Sequence, residues 1–120
     1  MRMTRYIRWP VLCALVCGLA LPAMAGDWYV ATNGSGSPGT NWNTAFTNFQ
    51  DALSTATNGD SIYIAGHTFE VTNTVVWSNR DISVYGSYEG VGTPGNHSLV
   101  QWPTVIRQPA GFTPYLRLLL

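Results

Sequence analysis

Residues that could support acid–base or metal chemistry are few and scattered in this 120-residue chain. His67 and His97 lie far apart, and neither has a cysteine or histidine neighbour at the spacing of a metal site. No Gly-x-Ser-x-Gly turn offers a nucleophile, and no glycine-rich phosphate loop opens a helix. Asp60 and Asp81 each precede a strand-like pattern, where a turn role explains them. We therefore predict no catalytic residue, no metal site and no cofactor.

Aromatic side chains give the stronger functional indication. Tyr88 and Trp102 fall in or beside residues 87–103, a long segment with several glycines and prolines that interrupts the strand pattern. Long loops of this kind are often functional. Exposed flat rings can stack on sugar faces, whereas buried rings fill the core. Tyr88 and Trp102 are therefore predicted carbohydrate contacts, with plain packing as the alternative.

The first 25 residues resemble a bacterial-type secretory signal. Three arginines precede an apolar run over residues 11–21, which is too short to span a bilayer. Residues 23–25, Ala-Met-Ala, form a small-x-small cleavage site. Cleavage between Ala25 and Gly26 would leave a cysteine-free chain that is secreted or held at the cell surface, with no membrane span.

Charge limits the partners of the processed chain. After residue 25, three arginines remain against six acidic residues, which gives a net charge of −3, and the chain contains no lysine. Nucleic-acid binders carry a basic patch, so nucleic acid is excluded as a predicted partner. The sequence indicates no particular oligomeric state.

One amphipathic helix is predicted over residues 44–57, with Asn43 or Thr44 as its N-cap. Its apolar face consists of Phe46, Phe49 and Leu53. These residues recur at helical spacing, and the other positions are mostly polar. Such a helix must cover an apolar surface.

After residue 60 the apolar period changes to two, which is typical of strands. Ile62 and Ile64 alternate, and Ile82 and Val84 repeat the pattern 20 residues later. Three short strands with tight bends and a return after about 20 residues favour one turn of a β-solenoid. An ordinary β-sandwich is the alternative.

Residues 49–53 (FQDAL), 59–64 (GDSIYI) and 66–69 (GHTF) resemble the amino-terminal segment of secreted right-handed parallel β-helix proteins, the pectin-lyase-like superfamily. The resemblance extends over residues 27–86. It implies a mostly β chain in which residues 26–120 form the first turns of a parallel β-helix, capped by the amphipathic helix. Few turns and no second cap imply a truncated part of a longer domain.

The resemblance implies an exported, non-catalytic, adhesin-like protein whose partner is a polysaccharide or a cell-surface glycan. Two alternatives stay open. The chain could be the amino-terminal part of a polysaccharide lyase or hydrolase whose active site lies beyond residue 120. It could also be a small carbohydrate-binding β-sandwich.

Overall fold

The computed structural model describes residues 24–78 and 81–112, together with the backbone of residues 118–119. In chain order its elements are β1 (Asp27–Val30), α1 (Phe49–Thr55), β2 (Ser61–Ala65), β3 (Thr68–Glu70), β4 (Val75–Val76), β5 (Ser83–Tyr88), β6 (Val105–Arg107) and β7 (Leu118–Leu119). The predicted signal segment, residues 1–25, lies outside the described residues apart from Met24 and Ala25.

The strands form three small sheets, with strand orders β1-β2-β5, β3-β6 and β4-β7. All pairs between these named strands are parallel. The carbohydrate-binding β-sandwich considered as an alternative would pair its strands in antiparallel fashion, so the observed pairing does not match it.

The predicted right-handed parallel β-helix is wrong for the described residues, which form a few short strands in small parallel sheets beside one helix and show no solenoid repeat. Paired strands are offset by 34, 22, 37 and 43 residues, so no constant turn length exists. Ile62 lies opposite Val84 and not opposite Ile82, which also breaks the assumed 20-residue offset. The predicted capping role of the helix is wrong as well, because the described residues form no β-helix whose end the helix could cover.

Helix α1 is shorter than predicted because the chain just before it pairs with β1. The Phe46 amide donates to Tyr29 O at 2.8 Å, and Phe46 O accepts from the Ala31 amide at 2.9 Å. These bonds hold Phe46 in extended backbone, so the helix starts only at Phe49. Its N-cap is Asn48, whose side chain accepts from the Asp51 amide, and not Asn43 or Thr44.

The helix anchors a short strand through one side chain. The Gln50 side chain donates to Val76 O at 3.2 Å and accepts from the Val76 amide at 2.9 Å. It therefore pairs with the backbone of β4 as a neighbouring strand would. The helix also buries Phe49, Ala52 and Leu53.

The sheet β1-β2-β5 is covered on both faces, because successive side chains on a strand point to opposite sides. One face joins a core cluster that includes Val30, Ile62 and the predicted apolar face Phe46, Phe49 and Leu53, all buried. The other face carries a second cluster built around Tyr29 and Trp42. The half-buried rings of Tyr63 and Tyr88 pack against this second cluster, which therefore extends from the interior to the protein surface.

Candidate functional site

A row of three tyrosines crosses the sheet. Parallel pairing places Tyr29, Tyr63 and Tyr85 at equivalent positions on β1, β2 and β5. The ring centroids are 5.6 Å apart in each neighbouring pair, and the Tyr63 and Tyr85 rings are stacked with 18° between their planes. In-register strands stand about 4.8 Å apart, so equivalent aromatic side chains meet in this way.

The tyrosine row, defined as Tyr29, Tyr63 and Tyr85, runs from the interior to the surface. Tyr29 is 2% exposed, Tyr63 is half-buried and Tyr85 is 46% exposed. Among the described residues, the Tyr85 ring makes an aromatic contact with Tyr63 alone. The row thus ends in a ring that is supported on one side and open to solvent.

Tyr88 joins this row through a break in strand pairing. The register shifts between Tyr63 and Ala65, so that Ala65 lies opposite Tyr88. A bulge changes the direction in which the following side chain points. Ser87, which precedes Tyr88, has the positive φ of 69° that accompanies this bulge. The Ser87 amide is held by Thr104 Oγ1 at 2.7 Å.

The bulge brings Tyr88 into an aromatic cluster. Its ring lies edge-on to Tyr63 at 5.3 Å, 6.2 Å from Trp42 and 5.2 Å from the exposed His97. The Trp42 indole donates to Pro94 O at 2.8 Å, which ties the segment of residues 89–104 to the cluster. Tyr88 is therefore a half-buried packing residue at the base of the surface, with Tyr85 as the more exposed ring.

Trp102 lies apart from these rings. It is half-buried and makes no aromatic contact within the described part of the chain. Its backbone passes so close to Gly66 that a Cβ there would stand 2.3 Å from Trp102 Cβ. The two predicted carbohydrate contacts, Tyr88 and Trp102, thus do not form one aromatic patch.

A cavity of about 290 Å³ adjoins the aromatic cluster, lined by Asn41, Trp42, Asn43 and residues 90–92. Both asparagines are exposed, so side-chain amides stand beside the buried indole. Ligand sites commonly combine aromatic walls with a few polar groups such as side-chain amides. A second cavity, about 360 Å³, lies at the start of α1 and along residues 70–75, away from the aromatic cluster.

Two phenol groups of the cluster, those of Tyr29 and Tyr88, have raised pKa values. Burial is the main cause that raises the pKa of Tyr29, with further contributions from Asp27 and from neighbouring tyrosines. Burial also raises the pKa of Tyr88, and Tyr63 and Tyr85 add to it. Both hydroxyls therefore stay protonated well above neutral pH.

The two histidines serve contacts within the chain. His67 Nδ1 lies 3.2 Å from the Thr32 amide and 3.1 Å from Thr32 Oγ1. His97 packs on Tyr88. The described residues contain no group of three histidine, cysteine or acidic side chains that could hold a metal ion.

Asp60 is a buried acid whose importance the sequence did not reveal. It is 4% exposed. Its Oδ2 accepts from Trp28 Nε1 and from the Thr57 amide, both at 2.8 Å, and from Thr57 Oγ1 at 3.3 Å. Its Oδ1 accepts from the Gly26 backbone nitrogen at 2.7 Å. The carboxylate joins the start of β1 to the turn after α1.

These hydrogen bonds decide the charge of Asp60. Burial alone would raise the pKa of Asp60, but the bonds from Thr57, Trp28 and Gly26 outweigh it. The pKa ends below its ordinary value of 3.8. Asp60 is therefore an anion at neutral pH although it is buried.

The chain matches no protein-family model, and no curated protein or solved structure matches it either. The resemblance to the pectin-lyase-like superfamily therefore stays a prediction. None of the helices within the described residues is long and apolar enough to cross a membrane. Of the predicted cleavage residues, Ala25 is exposed and Gly26 is half-buried.

Proposed function

We propose that the chain is an exported protein that contacts a carbohydrate non-catalytically through the open end of the tyrosine row. The carrying observation is the stacked Tyr63–Tyr85 pair, which ends in a ring that is 46% exposed. A rigid, pre-stacked ring loses little conformational entropy when it binds, and it offers its free face to the apolar side of a sugar ring. The signal-like residues 1–25 support export.

The ligand that fits this surface best is a neutral polysaccharide. The processed chain has a net charge of −3 and no lysine, so an acidic glycan would be repelled. Neutral phenol hydroxyls, the amides of Asn41 and Asn43, and the Trp42 wall suit hydroxyl-rich ligands. Tyr88 links the tyrosine row to this wall by contacts with Tyr63 and Trp42.

Affinity electrophoresis of the exported chain tests the proposal. The gels contain hydroxyethylcellulose, arabinoxylan or polygalacturonate, so two neutral polymers are compared with one acidic polymer. We expect retardation by a neutral polymer. Tyr85→Ala should weaken it roughly tenfold, about 1.4 kcal/mol, as truncation of an aromatic anchor does. Val76→Ala, which removes an apolar side chain of similar exposure (45%) on β4, outside the lining of either cavity, is the matched control.

Two results would contradict this proposal. Equal migration in all three gels and in a polymer-free gel would remove the carbohydrate contact. Release of unsaturated uronides from polygalacturonate by the purified chain would show an active site where we propose none.

A further inference from the structure

The Gly26 nitrogen occupies an unusual place for a residue beside a predicted cleavage site. It donates to Asp60 Oδ1 at 2.7 Å, and Gly26 O accepts from the Ser61 amide at 2.9 Å. Both backbone groups of Gly26 are therefore held by β2 and the residue before it. The preceding Met24 is 92% exposed and Ala25 is also exposed, so ordered packing of the described chain begins at Gly26.

We propose that the Asp60 carboxylate is the receptor for the α-ammonium group that cleavage between Ala25 and Gly26 creates. This inference rests on the proposed export. A signal peptidase adds water across the Ala25–Gly26 peptide bond, which leaves a carboxylate on Ala25 and an amine on Gly26. The amine then takes a proton from solvent, because an α-amino group has a pKa of about 7.7–8.0.

Among the described residues, no cationic side chain donates a hydrogen bond to Asp60 before that step. The groups that donate to it there are the neutral Trp28 indole, Thr57 and the Gly26 amide. Arg107, the described arginine, pairs with Glu70 instead, at 2.9 Å. A buried carboxylate without a counter-charge is costly, and an ammonium partner shortens and strengthens the hydrogen bond.

Two other acidic residues, Asp27 and Asp81, lie close to Gly26 or Asp60 in the chain and are also negatively charged. Asp27 follows Gly26 directly, and the Asp81 carbonyl accepts from the Gly59 amide in the turn that holds Asp60. Each would also favour a protonated amine. An Asp27→Asn variant therefore separates a general acidic environment from specific pairing with Asp60.

Removal of the leader would thus complete the anchoring of β1. With the leader attached, Gly26 offers one neutral N–H; after cleavage it offers a charged group with three donors. Folding outside the cytoplasm is then favoured by the cleavage that accompanies export. Cleavage leaves the fold unchanged. Only the processed chain gains the stability of an ammonium–carboxylate pair between Gly26 and Asp60.

The first stage of the test determines the amino terminus. The full 120-residue chain is expressed with its own leader, and the exported protein is examined by intact mass. We expect a chain that begins at Gly26. An unexported chain would overturn both the proposed export and this inference, whereas an exported chain with a different terminus would overturn this inference alone.

The second stage exploits the absence of lysine. The α-amino group is then the sole primary amine of the processed chain, so an amine-acylating reagent reports on that group alone. At pH 8 we expect acylation about fivefold slower than in a free peptide of residues 26–30, since raising the amine pKa from about 8 to about 9 lowers the neutral, reactive fraction at that pH about fivefold. Asp60→Asn should restore most of the peptide rate, and Asp27→Asn should not.

A folded chain that begins at Gly26 but reacts at the peptide rate would overturn the inference and leave the proposed export intact. The comparison with the peptide needs no variant, so it holds even if Asp60→Asn fails to fold. The inference would also be overturned if the folded Asp60→Asn variant and the folded chain without a substitution were acylated equally slowly relative to the peptide.

Discussion

The carboxylate of Asp60 accepts a hydrogen bond from the Trp28 indole at 2.8 Å, although 32 residues separate the two in the chain. The bond ties β1 to the turn that precedes β2. Because the acceptor is a buried anion, this bond is of the stronger, charge-assisted kind.

Trp28→Phe should therefore destabilise the chain by about 1.5–3 kcal/mol, the range for hydrogen bonds to charged groups. Trp77→Phe is the matched control, because the buried Trp77 Nε1 has no hydrogen-bond partner among the described residues. Both substitutions remove the same ring volume, but only Trp28→Phe removes a hydrogen bond, so Trp77→Phe should cost less than Trp28→Phe. Urea unfolding of the two variants checks the difference, and equal losses would contradict it.

Stability should depend on pH through Asp60. Its folded-state pKa lies below the ordinary value of 3.8, so its contribution is fully present above that value. The contribution is lost as the pH falls through the lower folded-state pKa. Urea midpoints measured between pH 5 and 2 should fall less steeply in Asp60→Asn than in the exposed control Asp81→Asn. Parallel curves would refute this role.

The close approach of Gly66 to Trp102 predicts a steric effect. A Cβ on Gly66 would stand 2.3 Å from Trp102 Cβ and 2.4 Å from its backbone oxygen, so backbone must move. Gly66→Ala should cost about 1–3 kcal/mol, the usual range for overpacking. Gly26→Ala is the control, because the nearest atoms there are at 3.4 Å, an ordinary contact. Thermal unfolding of both variants distinguishes the sites; an unchanged midpoint for Gly66→Ala would contradict the packing.

Local patterns in the sequence predicted the elements better than their connections. Alternation at Ile62 and Ile64 identified β2, and helical spacing at Phe49 and Leu53 identified α1. The same spacing at Phe46 was misleading, because its backbone pairs with β1 across an intervening loop. A helical period alone cannot reveal that a distant strand competes for the same backbone groups.

The sheet register and the site depended on contacts far apart in sequence. Similarity between residues 62–66 and 82–86 indicated a shift of 20 residues, but the pairing follows the tyrosines and places Tyr63 opposite Tyr85. The bulge that turns Tyr88 toward Tyr63 involves Ser87, whose type gives no sign of a positive φ. The sequence indicated only a turn role for Asp60, because its hydrogen-bond partner Trp28 lies 32 residues away on another strand.

The central claim is that the open end of the tyrosine row contacts a neutral polysaccharide, and an NMR titration tests it most directly. Ring-proton resonances of the exported chain are followed while soluble arabinoxylan or cellulose oligosaccharides are added. Our account predicts shifts concentrated on Tyr85 and Tyr63, smaller shifts at Tyr88, and none at Phe49 in the core. Saturating shifts at Phe112 without change at Tyr85, or no shift with any oligosaccharide, would contradict it.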